Sequence, residues 1–408
     1  MIILALPLLY LMNGCNSKST SRRSGNKKIL DSLSAFSAEK KEPNSDYPAA
    51  FAGQTRVQAV KTITPYNVER IAEKMGRPWA IIAIPGNRLL ITEKSGYMEI
   101  RSTGGDLIKK ITGFPAVADA GQGGLLDVAL DPEFITNRFI YWSFSEKNGS
   151  ANLTAVAKGK LLEDSAVILD PVVIFRAKPA LESDLHFGSR LAFDKDGYLL
   201  VSVGERSILE GRKQAQWLNS GLGKIFRITK DGAAAPGNPF INTANAQPEI
   251  FSYGHRNVQS LALHPVTGDL WEAEFGPRGG DELNLIKPGK NYGWPIITYG
   301  IEYGGDKIGD GIQQKAGMEQ PVYYWDPVIS PSGMTFYTGD AIPEWKNNLF
   351  IGGLSSQQIV RLVIDQNKVV GEEYLLTDQN ERIRDITEWN GCLYAITDSG
   401  ILFEISKK

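Results

Sequence analysis

Cysteine is almost missing from this chain of 408 residues, which has two, and histidine is nearly as scarce, with three. Charge of one sign is lacking as well, since 44 basic residues face 46 acidic ones. That balance removes any general electrostatic preference for nucleic acid, and no nucleic-acid partner is expected. Long amphipathic helical patterns are absent, and the apolar run from Ile2 to Met12 is too short to cross a bilayer as a helix. Glycine is abundant, at 42 residues, and aromatic and β-branched segments recur between turns of Gly, Pro and Asp. This pattern points to an all-β chain of many short strands, long enough to bury a large core.

The N-terminal apolar run ends in Asn13-Gly14-Cys15 and reads as an export signal. Leu11 to Cys15 resembles a bacterial lipobox, in which the cysteine is lipidated and becomes the mature N-terminus. Residues 1–15 are therefore assigned to a signal peptide, 16–50 to a polar, Ser-rich, disordered tether, and 51–408 to the folded domain. The expected location is the periplasm or cell envelope, with membrane contact only through the lipid. With Cys15 lipidated, Cys392 has no partner, so no internal disulfide forms and a cysteine-based metal cluster is excluded.

One unit returns along the folded part: an apolar strand, a turn, a second strand, then a third. It begins near Trp79, Leu125, Arg190, Ser260, Gly333 and Arg384. Six such units predict a six-bladed β-propeller with four-stranded antiparallel blades. The segment from Tyr66 is expected to supply the strand that closes the ring beside the last unit. A two-domain β-sandwich fits the spacing less well.

A propeller gathers functional groups from separate blades at one end of its channel, so loop residues in several units are the candidates. The stretch from Tyr253 to Trp294 packs His255, Arg256, Asn257, Glu274, Asp281 and Glu282 between two strand patterns, with Gly276, Gly279 and Gly280 in the turn. It reads either as an anion-plus-calcium site, since hard cations prefer carbonyl and carboxylate oxygens, or as a polar hairpin. His186 lies in a loop, where an imidazole can take a proton near neutral pH, and Glu205 is placed to orient it. Without further context a lone loop histidine is more often structural. His264 reads as a turn residue. Arg382 and Arg384 alternate onto one face and offer two guanidinium forks to an anion. The plainer alternative is a surface pair neutralised by Glu381 and Asp385.

Six motifs occur in the order of the soluble glucose/sorbosone dehydrogenases: Gly121 to Leu126, His186 to Leu191, Tyr253 to Asn257, Glu274 to Asn284, Asn291 to Pro295, and Arg382 to Asp385. From about Arg77 to the C-terminus the chain resembles the pyrroloquinoline quinone (PQQ)-dependent aldose sugar dehydrogenases of that family. The resemblance implies a calcium-dependent quinoprotein that oxidises aldoses at C1 to lactones and passes electrons to an unspecified acceptor, as a monomer or homodimer. It implies that His186 is the base, oriented by Glu205, and that Arg256 and Asn257 stabilise a developing oxyanion. Gln122, Arg382 and Arg384, together with His186, Arg256 and Asn257, would bind the quinone. The carbonyls of Gly276 and Pro277 would hold the catalytic calcium. Glu282 and the Tyr292 carbonyl, with Glu302 as a weaker candidate, would hold a structural one.

The chain departs from the family in several places. Ser355 stands where relatives often carry a lysine against the cofactor, Phe275 replaces a polar residue, Leu185 precedes His186, and Val258 takes the place of a proline. A calcium-dependent propeller lactonase and a non-catalytic surface-binding propeller are the competing classes.

Overall fold

The computed structural model describes residues 36–408, so the export signal, the lipobox cysteine and the first part of the expected tether lie outside the described residues. Six four-stranded antiparallel sheets follow one another along the chain. Blade 1 runs from Pro78 to Ile111, blade 2 from Leu125 to Arg176, blade 3 from Leu191 to Tyr253, blade 4 from Val258 to Trp325, and blade 5 from Pro331 to Leu375. Blade 6 takes three strands from Ile383 to Lys407 and its fourth from Tyr66–Ala72. In that blade Tyr66 pairs with Lys407 and Val68 with Ile405, so the two ends of the domain are hydrogen-bonded into one sheet. The expected ring of six blades and its closing strand are both present.

Neighbouring strand residues face opposite ways, and in a propeller both directions lead to another blade. Leu89 and Ile91 pack into the layer between blades 6 and 1, while Leu90 packs into the layer between blades 1 and 2. Leu199, Val201 and Val203 likewise face blade 2, and Leu200 faces blade 4. The core is therefore six apolar layers between blades. This explains why the inner strands read as continuous apolar runs rather than alternating ones.

Residues 36–50 depart from the expected tether. Ser37 pairs with Gln58, the Asn44 and Ser45 backbone amides donate to the Asp326 carboxylate at 2.7 and 3.0 Å, and Arg56 donates to the Asp326 carbonyl at 2.8 Å. Ala59 then bridges to Glu372 on the outer strand of blade 5. The segment is polar because it is held by hydrogen bonds to blade edges, so its composition imitates that of a linker.

At the channel axis Arg190 joins five of the six blades. Its guanidinium lies 3.2 Å from Asp127 and 3.1 Å from Asp385, donates to the Gln259 and Arg384 carbonyls, and stacks 4.2 Å over Trp79. Burial pushes Asp127 up to about 6 against the pull of Arg190. Removing one partner from such a buried network leaves the others uncompensated, at a cost of about 3–5 kcal/mol. Arg190→Ala should lower the urea-unfolding free energy by that amount, and a change within about 0.5 kcal/mol would mean that Arg190 is not a structural hub.

Candidate active site at one end of the channel

Strand direction decides which loops meet. In each antiparallel blade the connector entering strand one and the turn between strands two and three emerge at the same end. His186 precedes blade 3, Arg256 and Asn257 precede blade 4, Gln122 precedes blade 2, and Arg382 precedes blade 6. Glu205, Gly276, Pro277 and Ser355 occupy turns between second and third strands. These residues therefore share one face of the ring, whereas Tyr292 and Glu302 lie in the long connector between the third and fourth strands of blade 4.

His186 is buried and held in a left-handed backbone conformation, φ 48°. For a non-glycine residue this is a local strain that the surrounding contacts must maintain. Its backbone amide donates to Gln122 Oε1 at 2.7 Å, and the adjoining Phe187 carbonyl accepts from Thr154 at 2.7 Å. Gly204 lets the loop pass close, since a Cβ there would lie 2.4 Å from the His186 carbonyl oxygen. His186 Nδ1 stands 2.7 Å from Glu205 Oε1. An ionised carboxylate only accepts, which assigns the proton to Nδ1 and leaves the Nε2 lone pair unprotonated. Burial, reinforced by the Arg256 charge, lowers the imidazole to about 4 despite Glu205, so the ring is neutral at physiological pH.

Glu274 organises the next loop. It accepts the backbone amides of Arg256 and Asn257, and His255 lies 3.3 Å from it while stacking on Tyr292. Arg256 donates to the Gly276 carbonyl at 2.7 Å, and Asn257 Oδ1 accepts from the Gly188 amide at 3.0 Å. Asp281 grips the Gly276 amide at 2.7 Å and the Ser330 amide at 2.6 Å, which ties blade 4 to blade 5. Neither a solvated turn nor a free ligand describes it. The turn is tight: a Cβ at Gly276 would sit 2.2 Å from the Gly280 oxygen.

A small void beside this turn is lined by Glu274, Gly280, Glu282, Tyr292 and Thr298. Burial, with Glu274 nearby, raises Glu272 and Glu282 well above the carboxylate range. Glu302, the weaker metal candidate, is instead ion-paired with Arg212 at 2.5 Å.

A cavity of about 380 Å³ is lined by Trp79, Gln122, Phe187, Phe275, Arg382 and Arg384; His186 is not in its wall but adjoins it through Phe187 and through the bond of its backbone amide to Gln122. Arg382 and Arg384 meet as expected, but neither Glu381 nor Asp385 neutralises them. Asp398 does, accepting from their Nε atoms at 2.8 and 2.7 Å, while Asp385 faces the axial Arg190 and Glu381 accepts from Ser399. Burial would raise Asp398, yet Arg384 and Arg382 outweigh it and hold the carboxyl below its usual range. Arg256 Nε, Asn257 Nδ2 and Glu205 Oε2 are buried without a hydrogen-bond partner among the described residues. Three unsatisfied polar groups so close together leave hydrogen-bonding capacity at this end of the channel.

Sequence reasoning missed Asp398, Arg77 and Lys94, which also line or border this cavity. A signal was present: Ile91-Thr92-Glu93-Lys94-Ser95-Gly96 in blade 1 repeats as Ile396-Thr397-Asp398-Ser399-Gly400 in blade 6. Both are turns between second and third strands.

A cationic cavity near a carboxylate-oriented imidazole, on the loop-bearing face of a six-bladed propeller, has the make-up of an enzyme site. The chain belongs to the glucose / sorbosone dehydrogenase family, an oxidoreductase family whose model matches residues 75–404. It is 42% identical to the aldose sugar dehydrogenase YliI of Escherichia coli (strain K12) over 84% of this chain and 93% of that protein. The crystal structure of the soluble aldose sugar dehydrogenase of Escherichia coli in its apo-form superposes with a TM-score of 0.80 at 41% identity, covering 84% of this chain and all of that one. The PQQ-bound aldose sugar dehydrogenase of Streptomyces coelicolor gives 0.69 at 27% identity, covering 85% and 99%.

Because the unfolded chain protonates this imidazole near 6.5 and the folded chain only near 4, the unfolded state binds more protons in between. His186 should thus cost stability as pH falls through that window. With only three histidines to assign, NMR titration should find His186 neutral to about pH 4 and should show its pKa rising in Arg256→Gln. An unchanged pKa in that variant would remove Arg256 as a cause.

Proposed function

We propose that this protein is a PQQ- and calcium-dependent dehydrogenase that oxidises an aldose at C1 to the lactone. The observation that carries the reading is the neutral His186 imidazole, fixed by Glu205 at Nδ1, on a loop whose backbone amide is held by Gln122 in the wall of a cavity that Arg382 and Arg384 also line. Family membership and the PQQ-bound relative support it.

The residues present fit both groups. Guanidinium forks suit a tricarboxylate, and the orphaned Arg256 Nε and Asn257 Nδ2 are donors without acceptors. Arg382, Arg384, Gln122, Arg256 and Asn257 would hold the quinone. The carbonyls of Gly276 and Pro277 would hold one calcium, and Glu282 with the Tyr292 carbonyl a second, an all-oxygen donor set suited to a hard cation. When bound, the quinone supplies an acceptor for hydride and calcium polarises the accepting carbonyl.

The chain's own part is proton handling and positioning. His186 Nε2 takes the C1 hydroxyl proton as hydride leaves C1, and Glu205 stabilises the imidazolium that results. Burial, reinforced by the Arg256 charge, keeps the ring deprotonated beforehand, and Arg256 would stabilise the oxygen on which negative charge develops.

His186→Ala should reduce sugar-dependent dye reduction by about 10²–10⁴-fold, while quinone titration stays within a few-fold of the parent. Retained dye reduction would remove His186 as the base. Lactone hydrolysis with calcium alone, and no dye reduction, would replace the dehydrogenase by a hydrolase. Added calcium should raise the thermal midpoint, because it binds the folded state only, and Glu282→Gln should lose part of that rise. An identical rise in the variant would remove Glu282 as a ligand.

A further inference from the structure

Four cationic side chains, Arg77, Lys94, Arg382 and Arg384, line the cavity with one carboxylate, Asp398, and a second carboxylate, Asp119, pairs with Arg77 outside the lining. Arg77 is ion-paired with Asp119, and Arg382 and Arg384 share Asp398. Lys94 has no carboxylate within ion-pair distance among the described residues. Its ammonium donates only to the Gly121 carbonyl, at 2.6 Å. Four positive groups against two negative ones leave a surplus of two charges, and one of them resides on Lys94.

The lysine is also held in place. Its backbone amide donates to the Arg77 carbonyl at 3.0 Å and its carbonyl accepts from the Leu125 amide at 2.9 Å, so the turn is pinned to the connectors entering blades 1 and 2. A cation on a fixed turn loses less entropy on meeting an anion than one on a mobile loop. Burial, together with the charges of Arg384 and Arg77, lowers its pKa, and an anion seated among the three would relieve that repulsion. Ser355, next to the cavity-lining Leu354, offers no charge, and its hydroxyl accepts from the cavity-lining Ser330 Oγ at 2.8 Å.

Resting on the quinoprotein reading above, we propose that Lys94 is a direct ligand of a quinone carboxylate, supplied by the turn between the second and third strands of blade 1. The arginine pair arrives in this cavity already bridged by Asp398, so part of its charge is spent internally. Lys94 provides the charge that Asp398 does not cancel. Its blade 1 turn is the counterpart of the blade 6 turn that carries Asp398, and the two repeats thus contribute opposite charges to one wall.

Quinone titration followed by tryptophan fluorescence, with Trp79 in the wall as a reporter, tests this without turnover. Lys94→Met keeps the aliphatic stem and should weaken quinone binding about tenfold or more, as loss of one hydrogen bond to a charged group implies. It should also flatten the salt dependence of binding. Lys94→Arg should stay within about threefold of the parent, and Ser355→Lys added to Lys94→Met should recover part of the loss. Circular dichroism and the thermal midpoint should match the parent in all variants. Unchanged affinity in Lys94→Met overturns the proposal and leaves the quinoprotein reading standing. Failure of the parent chain to bind quinone at all overturns both.

Discussion

The buried guanidinium of Arg190 is the point on which fold and site both hang. Its partners, Asp127 and Asp385, come from blades 2 and 6, its carbonyl acceptors from blades 4 and 6, and its stacking surface from blade 1. Two of those contacts belong to the cavity: Trp79 lines it, and Arg384, whose backbone accepts from Arg190, lines it as well. A charge taken out of water at the axis is tolerated only when blades 1, 2, 4 and 6 all deliver their partners. The network therefore couples correct ring assembly to correct placement of the cavity-lining residues.

Around that axis, carboxylates serve as positioning groups more than as reactive ones. Glu205 sets the tautomer of His186, Glu274 fixes the Arg256–Asn257 amides, Asp281 ties the Gly276 turn to Ser330, and Asp398 spaces the arginine pair. Each is held by backbone or guanidinium donors, and of these carboxylates only Asp398 lines the cavity, beside four cationic side chains. This division of labour preorganises a site for negative charge without leaving its cations to repel one another freely.

Much of the architecture was legible because the physics that shapes a propeller leaves a periodic mark. Each blade needs its own strands and turns, and that periodicity gave the count of six and the closing strand at Tyr66. Residues 36–50 were misread for a physical reason: a strap bound through backbone amides to Asp326 has the composition of a linker. Of the site, His186, Glu205 and the arginine pair were legible because their loops carry chemistry-bearing residues at blade entrances. Asp398 and Lys94 escaped because each sits as one polar residue in an ordinary turn. Their repeat across blades 1 and 6 becomes meaningful only once both turns are known to open on the same cavity.

The sequence by itself determined the strand content, the number of blades and the family, because these follow from local patterning and from motifs contiguous along the chain. Only the tertiary structure decided which charges cancel. Asp398 rather than Asp385 neutralises Arg382 and Arg384, Asp385 turns inward to Arg190, Glu302 goes to Arg212, and Lys94 is left without a carboxylate partner among the described residues. Electrostatic pairing depends on distances of a few ångströms between residues hundreds of positions apart, and closing the ring is what sets those distances.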